Sequence, residues 1–409
     1  AALDDFEAHW RHGASPEIRN LLSSGVIELL GGPLAHPFAP LLDARLRQFS
    51  LAEGLADAHR RWGSTPTGIW APECAFAPGM ETEYAAAGVS HFMVDGPTLR
   101  GDTALGRPVG DTDVVAFGRD LTVSYRVWSP KSGYPGHAAY RDFHTYDHDS
   151  GLKLSRVTGR TVAGPDKAPY DPDRVGAVID KHVDDFIETI RARLVTESAR
   201  IDRPALVVAA FDTELFGHWW HEGPVWLERL LRRLPEAGVT VGSLSTARER
   251  GFVGAPVDLP ASSWGSGKDW RVWAGPQVQH FVDLNAEVVG TALDTVDKRH
   301  DVPATARDRV NDQILRETLM TVASDWPFMV SKDTAAAYAV DRAHKHAHAT
   351  REICDAAARG REEQATQLAA NWARADNLFA GIDARRLVAE SLRSEEHTSE
   401  LQSLRHISY

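Results

Sequence analysis

Cysteine is nearly absent. Cys74 and Cys354 are the only two in 409 residues, too few for a disulfide framework, so the fold must rest on a hydrophobic core and the default compartment is the reducing cytoplasm. No apolar run approaches the roughly 20 residues that a membrane-spanning helix needs, and no signal-peptide pattern opens the chain. Basic residues are in deficit, 45 Lys and Arg against 57 Asp and Glu, for a net charge of -12. That balance repels a phosphate backbone and an anionic bilayer, which excludes nucleic acid and membrane as main partners and favours a neutral or cationic one. There is also no Gly-rich phosphate loop at a strand-to-helix turn. His218-x-x-His221-Glu222 is not the His-Glu-x-x-His order of zinc peptidases, and of His344, His346 and His348 only the first and last share a helical face, without an acid or Cys partner. A solvated face is the simpler reading of that run, and no metal or cofactor is expected.

Tryptophan, by contrast, is abundant, at twelve residues. Indole rings beyond the needs of a core suggest a surface that stacks flat ligands such as sugar rings, and a neutral polysaccharide fits the charge as well. The length favours a large catalytic domain plus a smaller companion. Between residues 24 and 245, apolar runs alternate with helical stretches, the rhythm of an α/β fold with parallel strands and crossover helices. The strand candidates are Gly25–Leu30, Gly68–Ala71, His91–Val94, Val114–Phe117, Val123–Val127, Leu206–Phe211 and Val239–Ser243. Helices are expected at Asp4–Arg19, Pro40–Trp62, Gly79–Ala87, Pro172–Ser198 and Pro224–Leu234. From Pro276 onward helical periodicity takes over, over roughly 284–299, 303–324, 333–359 and 361–379. The domain plan is therefore an α/β catalytic region over 1–250, then a Trp-rich loop (Gly251–Gly275) and helical domain over 251–392. The segment 393–409 opens RSEEHTSELQS, one reading frame of a common sequencing adapter, and is set aside. Ala1 is not Met, and a segment upstream is expected.

Two constellations carry chemistry. Trp70-Ala71-Pro72-Glu73-Cys74-Ala75-Phe76 is an apolar strand ending in a carboxylate. Val207-Val208-Ala209-Ala210-Phe211-Asp212-Thr213-Glu214 is a second apolar run ending in acids, followed by Leu215-Phe216-Gly217-His218-Trp219-Trp220. Strand-end acids sit where barrel enzymes place catalytic groups, and a pair of carboxyls is what glycoside cleavage needs. Capping or salt-bridging acids explain the pattern equally well.

Those motifs resemble glycoside hydrolase family 57. WAPECAF is similar to that family's W-x-P-E-x-x-[FY], and FDTELFGHWWHEG to its D-[TA]-E-[LT]-F-G-H-W-W-x-E-G. Gly32-Pro33-Leu34-Ala35-His36-Pro37 resembles the motif that supplies a pocket His, and Ser262-Ser263-Trp264-Gly265 through Trp273 the Trp-rich motif of the branching-enzyme subgroup. The matches run from about residue 25 to 330, ending in Ala323-Ser324-Asp325-Trp326-Pro327-Phe328. The resemblance implies an incomplete (β/α)7 barrel with a helical C-terminal domain, and retaining chemistry on α-1,4-glucans such as glycogen or amylose, with branching through α-1,6 bonds. It makes Glu73 the nucleophile and Asp212 the general acid/base, His36 a sugar-binding group, and Trp128, Trp264 and Trp273 cleft rings. Core packing is the alternative for His36 and for any one Trp, although Trp264 and Trp273 in a Gly-rich loop have little core to join. The family's His-containing first-strand motif is missing, so the first strand of the barrel is expected to be missing too. The loop Gly96–Thr112 lacks the lid tyrosine of branching relatives, Tyr134 being the nearest candidate. The other readings are a 4-α-glucanotransferase or α-amylase using the same acids, and a glucan-binding protein with a dead site. Nothing in the sequence sets the oligomeric state.

Overall fold

The computed structural model describes Asp4, Ala8 and residues 15–129, 131–299 and 306–387. It is an α/β fold with a helical C-terminal region, and its contacts divide the chain into two units. The first comprises residues 1–94, 109–114 and 258–409, the second 95–108 and 115–257.

In the first unit, strand Gly68–Ile69 pairs in parallel with strand His91–Asp95, in the register Gly68 to His91 and Ile69 to Phe92. Helix Met80–Ala86 lies in the crossover. Gly31 adds a single parallel bridge to Ile69, while the expected strand Gly25–Leu30 forms no ladder and leaves Val26 exposed. Helix Ala44–Trp62 starts where Asp43 accepts from Arg45 N at 2.8 Å and stops at Gly63 in the left-handed conformation. The expected helix Asp4–Arg19 falls largely outside the described residues, within which Ser15–Ser23 is helical.

The helical region packs Gln279–Arg299, Arg309–Thr321, Asp325–Lys332, Ala336–Ala358 and Glu362–Ala375 around Val289, Val296, Ile314, Leu315, Leu319, Ile353, Ala365 and Ala369. Helix Arg309–Thr321 is buried from Val310 to Thr321, polar residues included. Burying those groups is tolerable because they are paired. Gln313 donates to Glu317 at 2.7 Å, Glu317 faces His346 Nδ1 at 2.7 Å, and Asp312 accepts from Ala384 N at 2.8 Å. The expected helix over 333–359 starts at Ala336, after a break at Asp333, whose φ is 51°. His344 and His348 are exposed and His346 is buried, the division that helical spacing predicts. Among the described residues no group of three or more His, Cys, Asp or Glu could hold a metal ion, and no helix is long and apolar enough to cross a membrane.

The second unit holds strand Arg107–Pro108 antiparallel to strand Val115–Arg119. Helix Val175–Ile201 packs on helix Gly223–Glu236 around Phe186, Trp220, Trp226, Tyr134 and Tyr140. Three strand expectations fail here. Val123–Val127 is helical, within Leu121–Trp128. Asp120 caps that helix by accepting from Val123 N at 3.1 Å, and the buried Val123, Ser124 and Val127 share one helical face. Leu206–Phe211 is extended without a ladder, held by Leu206 N to Ala104 O and Asp120 N to Val208 O, each 2.8 Å. Its Ala209 is exposed, so the double coverage expected of a buried parallel strand is missing. Val239–Ser243 is likewise no strand, and Val241 is 49% exposed. The described residues thus contain four named strands, not the seven segments expected.

Candidate active site

Glu73 follows Ala71-Pro72 at the end of the Gly68–Ile69 strand and takes φ 61°, with Cys74 at 49°. A left-handed non-glycine pair costs about 1–3 kcal/mol per residue and persists only where its surroundings over-determine it. Here they do. The Glu73 carbonyl accepts from Trp264 N at 2.8 Å, and the neighbouring Phe76 exchanges two backbone bonds with Ser262, both 3.0 Å. The carboxylate is held at both oxygens: Trp264 Nε1 donates to Oε2 at 2.8 Å and Ser324 Oγ to Oε1 at 2.8 Å. Glu73 is 9% exposed, so two donors act on a carboxylate with little water to compete, and charge-assisted bonds of this kind are the stronger class.

His36 completes the cluster. It and Ala35 also have positive φ, 50° and 65°, a bend anchored by Leu34 and Ser50, which exchange Leu34 N to Ser50 O at 3.0 Å and Ser50 Oγ to Leu34 O at 2.8 Å. The His36 carbonyl accepts from Ser324 N at 3.0 Å, and His36 Nδ1 lies 3.0 Å from Ser324 Oγ. Because the Ser324 hydroxyl has one hydrogen and Glu73 receives it, Nδ1 must be the donor to Ser324, which fixes the tautomer. His36 Nδ1 lies 3.9 Å from Glu73 Oε1, and its side chain is 46% exposed, leaving ring surface for a ligand hydroxyl.

The Trp-rich loop supplies one ring to this cluster and buries another. Trp264 is partly buried and meets Trp70 edge-on at 4.9 Å. Trp273 is 1% exposed and stacks on Phe38 at 4.6 Å, and a Cβ on Gly265 would lie 2.6 Å from its ring. The expectation that a Gly-rich loop offers an indole little core to join fails for Trp273, because Phe38, Ala75 and Val272 with Trp264 and Trp270 make a core of the loop's own. Ser331 Oγ ties helix Asp325–Lys332 to that loop through Val272 O at 2.5 Å.

Asp212 and Trp128 belong to the second unit. Asp212 opens a tight turn in which its carbonyl accepts from Leu215 N at 3.2 Å. Below the turn, Leu215, Trp220 and Trp226 are buried, which explains two of the hydrophobic positions of FDTELFGHWWHEG as scaffold. Glu222, 3% exposed, accepts from Arg141 N at 3.0 Å and Tyr170 OH at 2.8 Å, and burial with this carboxylate pushes the Tyr170 phenol up. His221 is pushed down by burial and by Arg141. Trp128 ends its helix 43% exposed. Tyr134 is no lid: it is 6% exposed, donates to Asp185 at 2.5 Å and stacks on His182 at 4.3 Å.

The Glycosyl hydrolase family 57 profile matches residues 6–253, more than half of the chain. The chain belongs to this family. A second profile, 1,4-alpha-glucan branching enzyme, C-terminal, matches residues 287–387. A probable 1,4-alpha-glucan branching enzyme of Mycobacterium tuberculosis is 68% identical over 391 residues, covering 94% of this chain and 74% of that protein. A 1,4-alpha-glucan branching enzyme of Thermococcus kodakarensis is 30% identical over 373 residues, 81% of this chain and 54% of that one. Among solved structures, a family 57 branching enzyme from Pyrococcus horikoshii superposes with a TM-score of 0.89 at 27% identity, covering 95% of this chain and 77% of that one. Ser324 is the residue that sequence reasoning passed over. It lies in the final matching block, but nothing about a serine before Asp-Trp-Pro-Phe signals a bond to an acid 251 positions away.

Proposed function

We propose that this family 57 chain is a 1,4-α-glucan branching enzyme acting on glycogen-like glucans, with Glu73 as nucleophile and Asp212 as general acid/base. The observation that carries the reading is the Glu73 carboxylate, almost buried yet kept from rotating by Trp264 and Ser324, in a chain whose helical region matches the branching-enzyme C-terminal profile. A carboxylate pinned at both oxygens has its attack geometry set before substrate arrives.

In the first step Glu73 attacks the anomeric carbon, the C1–O4 bond breaks, and Asp212 gives its proton to the leaving O4. In the second, the 6-hydroxyl of an acceptor glucan attacks the glycosyl ester, Asp212 takes the hydroxyl proton, and Glu73 leaves as carboxylate. Two inversions give net retention, and the sequence of steps calls on neither metal nor cofactor. His36 offers its exposed ring to a sugar hydroxyl, and Trp264 and Trp128 offer indole to sugar faces. Trp273 contributes by backing the loop that carries Trp264. The parent architecture in this reading is the incomplete (β/α)7 barrel with its helical companion. The two thiols are buried and unbridged, in keeping with a cytoplasmic setting. A 4-α-glucanotransferase or α-amylase using the same acids is the second reading, favoured by the locked Tyr134 and by a Gly96–Thr112 loop without tyrosine.

Azide rescue assigns the acids separately. Glu73→Ala with azide should yield the β-glycosyl azide, because a single displacement inverts the α-substrate. Asp212→Ala should lose about 10²–10⁴-fold in turnover of unactivated glucan and yield the α-azide. The reverse stereochemistry, or activity untouched in either variant, contradicts the assignment.

A further inference from the structure

The second unit carries a ring cluster, with His218 and Trp219 exposed and Phe143 partly buried, that the steps above do not use. Phe143 and Trp219 lie 4.2 Å apart between ring centroids, Phe143 and His218 5.0 Å, and His218 and Trp219 5.2 Å. The two tryptophans of the motif go opposite ways: Trp220 is 1% exposed and Trp219 39%. Core packing therefore accounts for Trp220 and leaves Trp219 unexplained, since an indole facing water gives up the burial it could have had. The cluster is built and not draped. His218 N and Trp219 N both donate to Glu214 O, at 3.2 and 3.3 Å, and Gly217, at φ 101°, donates to Trp220 O at 2.9 Å. Phe143 arrives from a separate segment that Glu222 pins through Arg141 and Tyr170. The Lys153 ammonium sits 3.2 Å over the Phe143 ring, a cation–π contact that holds the ring in place.

We propose that Phe143, His218 and Trp219 form a glucan-stacking platform that holds the acceptor chain beside Asp212. It rests on the branching reading above and names the acceptor site of that same reaction. The turn that presents Asp212 continues within a few residues into the one that presents His218 and Trp219. An acid/base acts on the oxygen shared with the leaving or incoming sugar, so a sugar held next to it belongs to the leaving and acceptor side. An α-glucan offers an apolar C–H face for the Trp219 indole, which the Phe143 ring supports from the side, and hydroxyl edges for the His218 imidazole. Transfer to sugar instead of water depends on holding that acceptor.

The test compares wild type with Trp219→Ala, Trp219→Phe and Phe143→Ala on amylose, counting new reducing ends per α-1,6 linkage and measuring retardation in native gels containing amylose. Trp219→Ala and Phe143→Ala are expected to raise the hydrolysis-to-branching ratio about fivefold or more and to weaken retardation, while Trp219→Phe, which keeps a ring, stays near wild type. Phe143→Ala stands in if Trp219→Ala does not fold. Retardation and product ratio within twofold of wild type in both alanine variants overturn the platform. If wild type forms no α-1,6 linkages, the branching reading falls on its own, and lost retardation in the alanine variants still supports a glucan platform while unchanged retardation overturns it.

Discussion

Ser324 is where the chemistry of Glu73 and the helical region meet in one side chain. It is 1% exposed, bonds Glu73 Oε1 at 2.8 Å, and receives the His36 Nδ1 hydrogen. A bond to a charged group contributes about 1.5–3 kcal/mol, so Ser324→Ala is predicted to lower kcat about 10–100-fold, with KM little changed because the hydroxyl touches Glu73 and not the sugar. Ser324→Thr, which keeps the hydroxyl, should recover part of the loss. Equal kcat in Ser324→Ala would show that the Ser324 hydroxyl does not tune Glu73. Glu73 could be picked out as an acid ending an apolar run, and His36 only through the family motif around it; the structure brings the two side chains within 3.9 Å. Ser324 was not legible, since its role is set by three-dimensional proximity alone. Trp273 shows the opposite failure: a loop composition that signals exposure hides a ring packed on Phe38.

At the scale of elements, close approach explains why helix Ala44–Trp62 contains Gly54. A Cβ there would lie 1.9 Å from Gly32 O and 3.1 Å from Leu34 N, in the segment that leads to His36. Ala is the better helix former by about 1 kcal/mol, yet Gly54→Ala is predicted to lower the melting temperature, because a backbone carbonyl cannot rotate aside and overpacking costs about 1–3 kcal/mol. A higher melting temperature would mean that the helix and the Gly32–Leu34 segment can separate freely. Helix Val175–Ile201 carries a second testable element. Burial pulls the His182 imidazole from 6.5 down to about 4, with His137 and Lys181 adding to the effect and Asp185 opposing it. Tyr140 OH lies 2.8 Å from His182 Nδ1, and Tyr134 covers the ring. Since the folded state resists a proton that the unfolded chain accepts, this site's contribution to stability is present above pH 6.5 and is lost as pH falls toward 4. His182→Gln should flatten that part of the melting-temperature profile, and a profile of unchanged slope would show that His182 is not its source. The C-terminal end of helix Ala44–Trp62 was legible at Trp62, before Gly63, but its start, expected at Pro40, comes only at Ala44, where Asp43 caps it. Val123–Val127 misled because β-branched residues favour strands in isolation, whereas Asp120 and a one-sided burial pattern impose a helix.

Taken whole, the chain combines an α/β region with helices whose most buried member, Arg309–Thr321, runs directly toward Ala323 and Ser324. Core residues such as Ile314 and Leu319 therefore support the position of a hydroxyl that bonds the Glu73 carboxylate. Family, chemistry and helical companion were readable because motifs and 3.6-residue periodicity survive in one dimension. The strand count was not, because Leu206–Phe211 and Val239–Ser243 have apolar composition without the hydrogen-bonded neighbours that would make them strands.

The most direct measurement is proton NMR of amylose incubated with the protein, scoring α-1,6 linkages beside new reducing ends, with Glu73→Gln and Asp212→Asn as controls. If Glu73 and Asp212 carry out branching, α-1,6 signals accumulate with few reducing ends and vanish in both variants. Reducing ends without α-1,6 signals, or α-1,6 signals that survive either substitution, would contradict it.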